Sequence, residues 1–135
     1  MKRIILILPV IICLSCALAQ PTKEELGKAT FGAPLSIDYR TAIKLAFAST
    51  LIDPMSAQYI ISEPRKCWVR IHQTIWTKKK LYTGYGILVD VNAKNRFGGY
   101  TGYKQYFTLW RDNESIWVQS IDALYGWSFI YGWVE

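Results

Sequence analysis

The hydrophobic pattern of this chain changes at the Asp53-Pro54 pair, and that change constrains the fold more than any other feature. Before the pair, large apolar side chains recur every fourth residue, at Tyr39, Ile43, Phe47 and Leu51. This spacing places them on one face of a helix. Proline lacks the backbone N–H and disfavours helical geometry in the residue before it. The pattern predicts one amphipathic helix that begins at Ser36 or Asp38, either of which can cap it, and ends near Ile52.

After Pro54 the helical spacing disappears, and β-branched and aromatic residues form short runs between polar turns. Runs of this kind are typical of strands. The predicted strands cover residues 58–62, 67–77, 81–91, 103–111 and 115–121. Their spacing predicts a meander-type antiparallel sheet. We therefore expect an α+β fold, in which one N-terminal amphipathic helix packs on a roughly five-stranded antiparallel sheet.

Aromatic residues occupy every second position near the C-terminus: Tyr125, Trp127, Phe129, Tyr131 and Trp133. In an extended strand these rings share one face. One interpretation is a final strand whose rings pack under the helix. The other is a partly exposed row of rings that stacks on sugars or receives a partner, because large exposed apolar patches usually mark interaction sites.

Residues 1–19 have the pattern of a secretory signal peptide. Lys2 and Arg3 precede an apolar run over residues 4–14, and a small-residue cleavage motif ends at Ala19. The apolar run is shorter than the ~20 residues that a membrane-spanning helix needs. Cys16 is a candidate lipidation site, so cleavage after Ala19 and lipidation at Cys16 are alternatives. We predict an exported protein that is periplasmic, associated with the cell envelope, or secreted.

The chain of 135 residues has room for a single domain. Residues 20–34 contain few large apolar groups, and we expect them to form a leader or spacer segment before a single domain over residues 35–135. Hydrophobic residues make up 51% of the chain, which is enough to form a packed core. Processing leaves Cys67 as the only internal cysteine, so no intramolecular disulfide is expected.

The chain has a formal net charge of +6, from 16 basic and 10 acidic residues. Removal of Lys2 and Arg3 leaves 14 basic residues against 10 acidic ones, which is a charge of +4. This balance favours anionic partners in the envelope. The positive charge is too small and too scattered to indicate nucleic-acid binding. We expect membrane association only through a lipid on Cys16.

The residues offer little for catalysis. His72, the single histidine, is five positions from Cys67 in one predicted strand, and this odd spacing places the two side chains on opposite faces. One histidine and one internal cysteine are too few for a metal site, and the carboxylates are scattered. No phosphate-binding or dinucleotide-binding motif is present. We expect a protein that is not an enzyme and has no metal or cofactor.

The segment over residues 90–104 concentrates amides, cations, aromatic rings and three glycines. One interpretation is a turn in which the asparagines bond their own backbone. The other is a loop that recognises an anion or a protein from a rigid sheet. The candidate binding residues are Asn92, Lys94, Asn95, Arg96, Tyr100 and Tyr103.

Two segments of the chain resemble a family of small, poorly characterised bacterial envelope proteins. The first is LIDPMSAQY over residues 51–59, and the second is VNAKNRFGGYTGY over residues 91–103. The family pattern often has a cysteine shortly before the second segment, where this chain has Leu88-Val89-Asp90. The resemblance implies export and a small α+β domain, and it implies no particular activity.

We expect a non-catalytic exported envelope protein that binds a protein or glycan partner through the loop over residues 92–103. The alternative is a secreted inhibitor or exclusion factor that acts on an envelope enzyme or on entry machinery. A projecting loop on a rigid sheet suits either function, and a likeness of architecture alone does not choose between them.

Overall fold

The computed structural model describes residues 20–72, 80–121 and 128–135. The predicted signal peptide, with Cys16, lies outside the described residues. Tyr125 and Trp127 lie outside them as well, and so do the side chains of His72 and Phe129, so the predicted placement of His72 opposite Cys67 stays a prediction. Within the described part of the chain, no helix has the length and apolar character needed to cross a membrane.

From residue 20 onwards, two helices precede the sheet: α1 (Lys23–Lys28) and α2 (Tyr39–Ala48), with a 3-10 turn at Pro54–Ser56 after them. The strands are β1 (Gln58–Ile61), β2 (Arg65–His72), β3 (Lys80–Asn92), β4 (Lys104–Arg111), β5 (Glu114–Ser120) and β6 (Ser128–Trp133). The sheet has the order β5-β4-β3-β2-β6, and β1 pairs with the C-terminal part of β3. All pairs are antiparallel, which confirms an α+β fold with an antiparallel sheet.

The strand order departs from a simple meander at its first step, where β1 pairs with β3 and not with β2, and at its last step. Consecutive strands pair from β2 to β5, but β6 returns to the far edge of the sheet and pairs with β2. Pairing of β4 with β5 is closed by a two-residue turn at Asp112 and Asn113, which adopt φ of 51° and 68°. A left-handed backbone conformation at both positions gives a turn whose twist matches that of the two strands it joins.

Helix α2 is capped by Asp38, whose carboxylate accepts a hydrogen bond from the Thr41 N–H at 3.2 Å. It ends at Ala48, four residues before the predicted end at Ile52. Asp53 caps the following 3-10 turn instead, through a 3.3 Å bond from the Ser56 N–H. The chain therefore leaves the helix one turn before the proline.

One face of the sheet, which we call the helix face, packs against α2. Its core consists of buried residues from α2, β3 and β4: Ile43, Phe47, Ile87, Val89, Val91 and Trp110. The rings of Phe47 and Tyr106 meet edge to face with centroids 4.8 Å apart. Apolar burial between one helix and the middle of the sheet thus forms the first core.

The opposite face is concave and forms a second core around Cys67, Val69, Phe107 and Leu109. The ring centroids of Phe107 on β4 and Tyr131 on β6 are 4.5 Å apart. Three strand spacings of ~4.8 Å would separate β4 from β6 by ~14 Å in a flat sheet, so the sheet curls strongly. Gly86 permits this curl, because a Cβ there would lie 2.7 Å from the Cys67 Sγ.

The described aromatic rings of the C-terminal strand do not pack under the helix, so that expectation is wrong for them. Tyr131 pairs with Val69 and Trp133 pairs with Cys67, which places both rings on the concave face. Both side chains are half-buried there and contact Phe107. The register of β6 on β2 decides which face of the sheet these rings occupy. That register cannot be deduced from the sequence of β6 alone.

The segment over residues 20–34, expected to be a spacer, contains α1 and lies against the sheet. The Glu25 carboxylate pairs with the Arg70 guanidinium at 3.1 Å, and Arg70 is buried. The Thr83 hydroxyl donates a 2.6 Å hydrogen bond to the Thr30 carbonyl. These contacts cover the ends of β2 and β3 that α2 does not reach.

Candidate functional site

The loop between β3 and β4 is a short hairpin that its own backbone holds in shape. Lys94 and Tyr100 form an antiparallel bridge, and the Asn95 N–H donates a 2.8 Å hydrogen bond to the Gly99 carbonyl. Gly98 adopts a φ of +80°, a conformation that residues other than glycine rarely adopt. The loop therefore presents one fixed conformation on a rigid sheet.

The two predicted asparagines hold this loop together. The Asn92 Oδ1 accepts from the Gly102 N–H at 3.0 Å, and its Nδ2 donates to the Gln58 side chain at 3.2 Å. The Asn95 Oδ1 accepts from the Phe97 N–H at 2.9 Å. Because these amide atoms are hydrogen-bonded to other groups of the protein, Asn92 and Asn95 set the shape of the loop.

The two predicted tyrosines tie the loop to the elements beside it. The Tyr100 hydroxyl donates a 3.0 Å hydrogen bond to the Ser56 carbonyl in the 3-10 turn. The Tyr103 hydroxyl lies 3.5 Å from the Gln58 Oε1 on β1. The rings are nevertheless about half exposed, at 47% for Tyr100 and 51% for Tyr103. Each side chain therefore has an anchored end and a ring that a partner can contact.

Positive charge and apolar surface meet at the tip of the loop. Phe97 is 87% exposed, and the Arg96 guanidinium lies 5.7 Å from the centre of its ring. The Lys94 ammonium lies 5.4 Å from the Tyr100 ring centre. Met55, next to the Ser56 carbonyl that holds Tyr100, is 94% exposed. We call the surface formed by Met55, Lys94, Arg96, Phe97 and Tyr100 the loop surface.

Phe97 and Met55 are absent from the sequence-predicted binding residues. The sequence does contain a signal for Phe97, since a large apolar residue stands there in a polar loop, directly before the Gly98-Gly99 pair. Met55 follows Pro54 in a predicted helix stop, where a large apolar side chain has no core to enter. Polar residues can be recognised as binding candidates in the sequence by their chemistry, whereas the exposure of an apolar residue can be seen only in the fold.

Two ionisable groups away from the loop have pKa values that the fold shifts. Cys67 is fully buried, and burial raises the pKa of its thiol to about 12. Hydrogen bonds from Tyr39 and Arg40 lower the pKa of the Glu63 carboxyl. Among the described residues, no three or more His, Cys, Asp or Glu side chains come together as metal ligands would.

The two segments that carry the family resemblance lie side by side in the fold, because Gln58 on β1 pairs with Asn92 on β3. Comparison with known proteins finds no match to this chain among family models, curated proteins or solved structures. The resemblance to small exported envelope proteins stays a prediction.

Proposed function

We propose that the protein is a non-catalytic, exported envelope protein that binds a protein partner through the loop surface. The observation that supports this most is Phe97, an exposed ring at the tip of a loop of fixed shape. Exposed apolar side chains on rigid loops are typical of binding surfaces. Arg96 adds positive charge beside the Phe97 ring, and Lys94 adds positive charge beside the Tyr100 ring. The matching partner surface is an apolar pocket with acidic residues at its rim.

A protein partner fits this surface better than a glycan does. Sugar hydroxyls are recognised by hydrogen-bonding side chains placed around a stacking ring. Here the Oδ1 atoms of Asn92 and Asn95 accept hydrogen bonds from the loop backbone, the Asn92 Nδ2 is bonded to Gln58, and the Tyr100 hydroxyl is bonded to the Ser56 carbonyl. What the loop offers is an apolar ring and cations, which suit a protein surface.

Inhibition of an envelope enzyme is a second candidate function, and the projecting Phe97 favours it. A rigid loop with an exposed ring at its tip can enter a substrate cleft with little loss of conformational entropy. Titration of envelope hydrolases such as lysozyme with the protein tests this directly. Hydrolysis rates that do not change at saturating protein contradict inhibition of those enzymes.

The experiment for the binding function replaces Phe97 with a photo-crosslinking amino acid in the producing cell. Leu45 on α2 is the matched control position, because it is also a large apolar residue, 68% exposed. We expect an adduct with one envelope protein from position 97 and none from position 45. In the Arg96→Ala, Phe97→Ser variant, capture of the same protein should fall at least about tenfold, as expected for a central contact residue.

The Leu45→Ser variant controls for the loss of an exposed apolar side chain, and it should capture the partner as the parent does. Thermal unfolding shows whether each variant keeps the fold. Adducts of equal yield from positions 97 and 45, or none from either, contradict binding through the loop surface.

A further inference from the structure

A groove of about 450 Å³ opens on the helix face between α2 and the β4–β5 hairpin. Helix α2 has 10 residues and is about 15 Å long. The helix covers β1 and β3 but leaves the β5 edge uncovered. Ala46 and Val118 line opposite sides of the groove, with Thr108 and Trp110 between them on β4.

The strand residues between these walls leave no polar atom in need of a ligand. The Thr108 hydroxyl donates to the Ile87 carbonyl at 3.2 Å and accepts from the Trp110 Nε1 at 2.9 Å. The remaining lining is mostly apolar, including Ile43 from α2. Because the polar side-chain atoms of Thr108 and Trp110 are already bonded, this part of the groove favours an apolar occupant, since a polar one would lose its hydrogen bonds to water.

A second cleft, of about 340 Å³, lies at the C-terminal end of α2 and shares Thr50 and Tyr106 with the groove. This cleft is lined by Lys94 and Lys104. The ion pairs that the described residues form use other cations, namely Lys28, Arg40 and Arg70. Within that part of the chain, the two lysines of the cleft thus have no carboxylate partner. Of these two adjoining depressions, one is therefore mostly apolar and the other carries positive charge.

We propose that the groove and the cleft form one binding site for a single-chain amphiphile with an anionic head, such as a long-chain carboxylate. The chain lies over Thr108 and Trp110, and the head lies beside Lys104. Charge complementarity selects an anionic head, and the bonded polar atoms beneath the chain select a hydrocarbon. Both volumes fall in the ~300–1,000 Å³ range of small-ligand sites. Lys94 belongs both to the cleft and to the loop surface, whereas Arg96 and Phe97 line neither depression.

The test is calorimetric titration of the exported protein with three probes below their micelle concentrations. Laurate carries both the chain and the anionic head, dodecyltrimethylammonium has the same chain with a cationic head, and acetate has the head without the chain. We expect laurate to bind at least about tenfold more tightly than the cationic probe, because of the lysines. Acetate should show no binding, because the chain supplies most of the affinity.

Variants then locate the site. Ala46→Phe fills the groove from α2 and should weaken laurate binding by about tenfold or more. Leu45→Phe is the matched control, since Leu45 is exposed and does not line the groove. Ser115→Phe fills the groove from β5 and replaces Ala46→Phe if that variant does not fold. Lys104→Gln should weaken laurate binding about fivefold, and it should not weaken the binding of dodecyltrimethylammonium, which Lys104 repels.

A parent protein that does not bind laurate overturns the proposal, and so does equal laurate affinity of the parent and a folded groove-filling variant. Equal affinity for laurate and dodecyltrimethylammonium overturns the assignment of an anionic head. The Arg96→Ala, Phe97→Ser variant should bind laurate as the parent does. Because that variant tests only the loop surface, failure of the proposed partner binding and failure of this site give different results.

Discussion

The two faces of the sheet solve the problem of covering apolar surface in different ways. The concave face covers itself, because the sheet curls until Phe107 meets Tyr131 and Trp133 from the far strand. The helix face depends on α2, which leaves the groove beside β5 open. Curvature of the sheet thus gives a closed core on one face, whereas a single short helix on a wide sheet leaves part of the core on the other face accessible.

The closed core is also the more intolerant of change. A Cβ on Gly86 would lie 2.7 Å from the Cys67 Sγ and 2.9 Å from the Trp133 ring. On the helix face, the groove beside Ala46 has about 450 Å³ of space. We therefore expect removed and added volume to cost more on the concave face, and the following predictions test this, beginning with the largest effect.

Phe107→Ala should have the largest effect on stability. Phe107 is fully buried, and truncation of such a ring costs about 3–5 kcal/mol of unfolding free energy through lost burial and a residual cavity. Urea denaturation of the exported protein measures this loss. Phe47→Ala is the comparison on the helix face, where the open groove lets neighbouring side chains move in. A loss for Phe47→Ala that equals that for Phe107→Ala would contradict the contrast between the faces.

The Cys67 thiol should be close to inert in the folded protein. Burial raises its pKa from 9.0 to about 12, which lowers the reactive thiolate population about 1,000-fold at a given pH. Labelling with a thiol reagent at mildly alkaline pH measures this, with the urea-unfolded protein as reference. Labelling of the native protein at the unfolded rate would show that the concave face opens readily.

Gly86→Ala should destabilise the protein by about 1–3 kcal/mol, because the added methyl group overpacks the concave core. Gly99→Ala is the matched control, since a Cβ there would be 3.9 Å from the nearest Asn95 atoms. Its unfolding free energy should stay within about 0.5 kcal/mol of the parent. Equal losses in the two variants would contradict close packing at Gly86 as the cause, because the lower unfolded-state entropy of alanine stabilises both variants.

Ala46→Phe adds a larger side chain to the helix face and should change stability by less than about 0.5 kcal/mol, as surface substitutions usually do. The added ring has the groove to enter, whereas the methyl group of Gly86→Ala has no space. Thermal unfolding of the two variants side by side gives the comparison. Destabilisation by Ala46→Phe as large as that by Gly86→Ala would show that the groove is not open in solution.

Acid should loosen the helix face before the concave face. Hydrogen bonds lower the folded-state pKa of Asp38, through Thr41, and of Glu63, through Tyr39 and Arg40. A lowered folded pKa means that the contribution to stability is present above the ordinary values of 3.8 and 4.5 and is lost as pH falls through the lowered ones.

Hydrogen exchange of α2 amides, corrected for intrinsic rates, should therefore lose protection in acid before the amides of β2 and β4 do. Glu63→Gln removes one of the two carboxylates and should reduce the acid response of α2. An acid response of α2 that is unchanged in Glu63→Gln would exclude this carboxylate as a cause.

The candidate site was predictable in outline but not in its roles. The sequence predicts a loop over residues 90–104 and names the residues that compose most of it. The structure divides those residues: Asn92 and Asn95 hold the shape, while Arg96 faces solvent beside Phe97. Side-chain chemistry is visible in the sequence, but whether an amide is already bonded depends on the conformation of the whole loop.

The sequence alone indicates most of the strands of this protein, but it does not indicate α1, which lies in the segment expected to be a spacer. The fourfold spacing before Pro54 indicates α2, and the β-branched and aromatic runs after it indicate the strands, because these patterns depend on near neighbours. Only the tertiary structure decided that β6 pairs with β2, and that the sheet curls at Gly86. The same is true of the groove beside the short α2. These features depend on contacts between residues far apart in the chain, whose register no local pattern encodes.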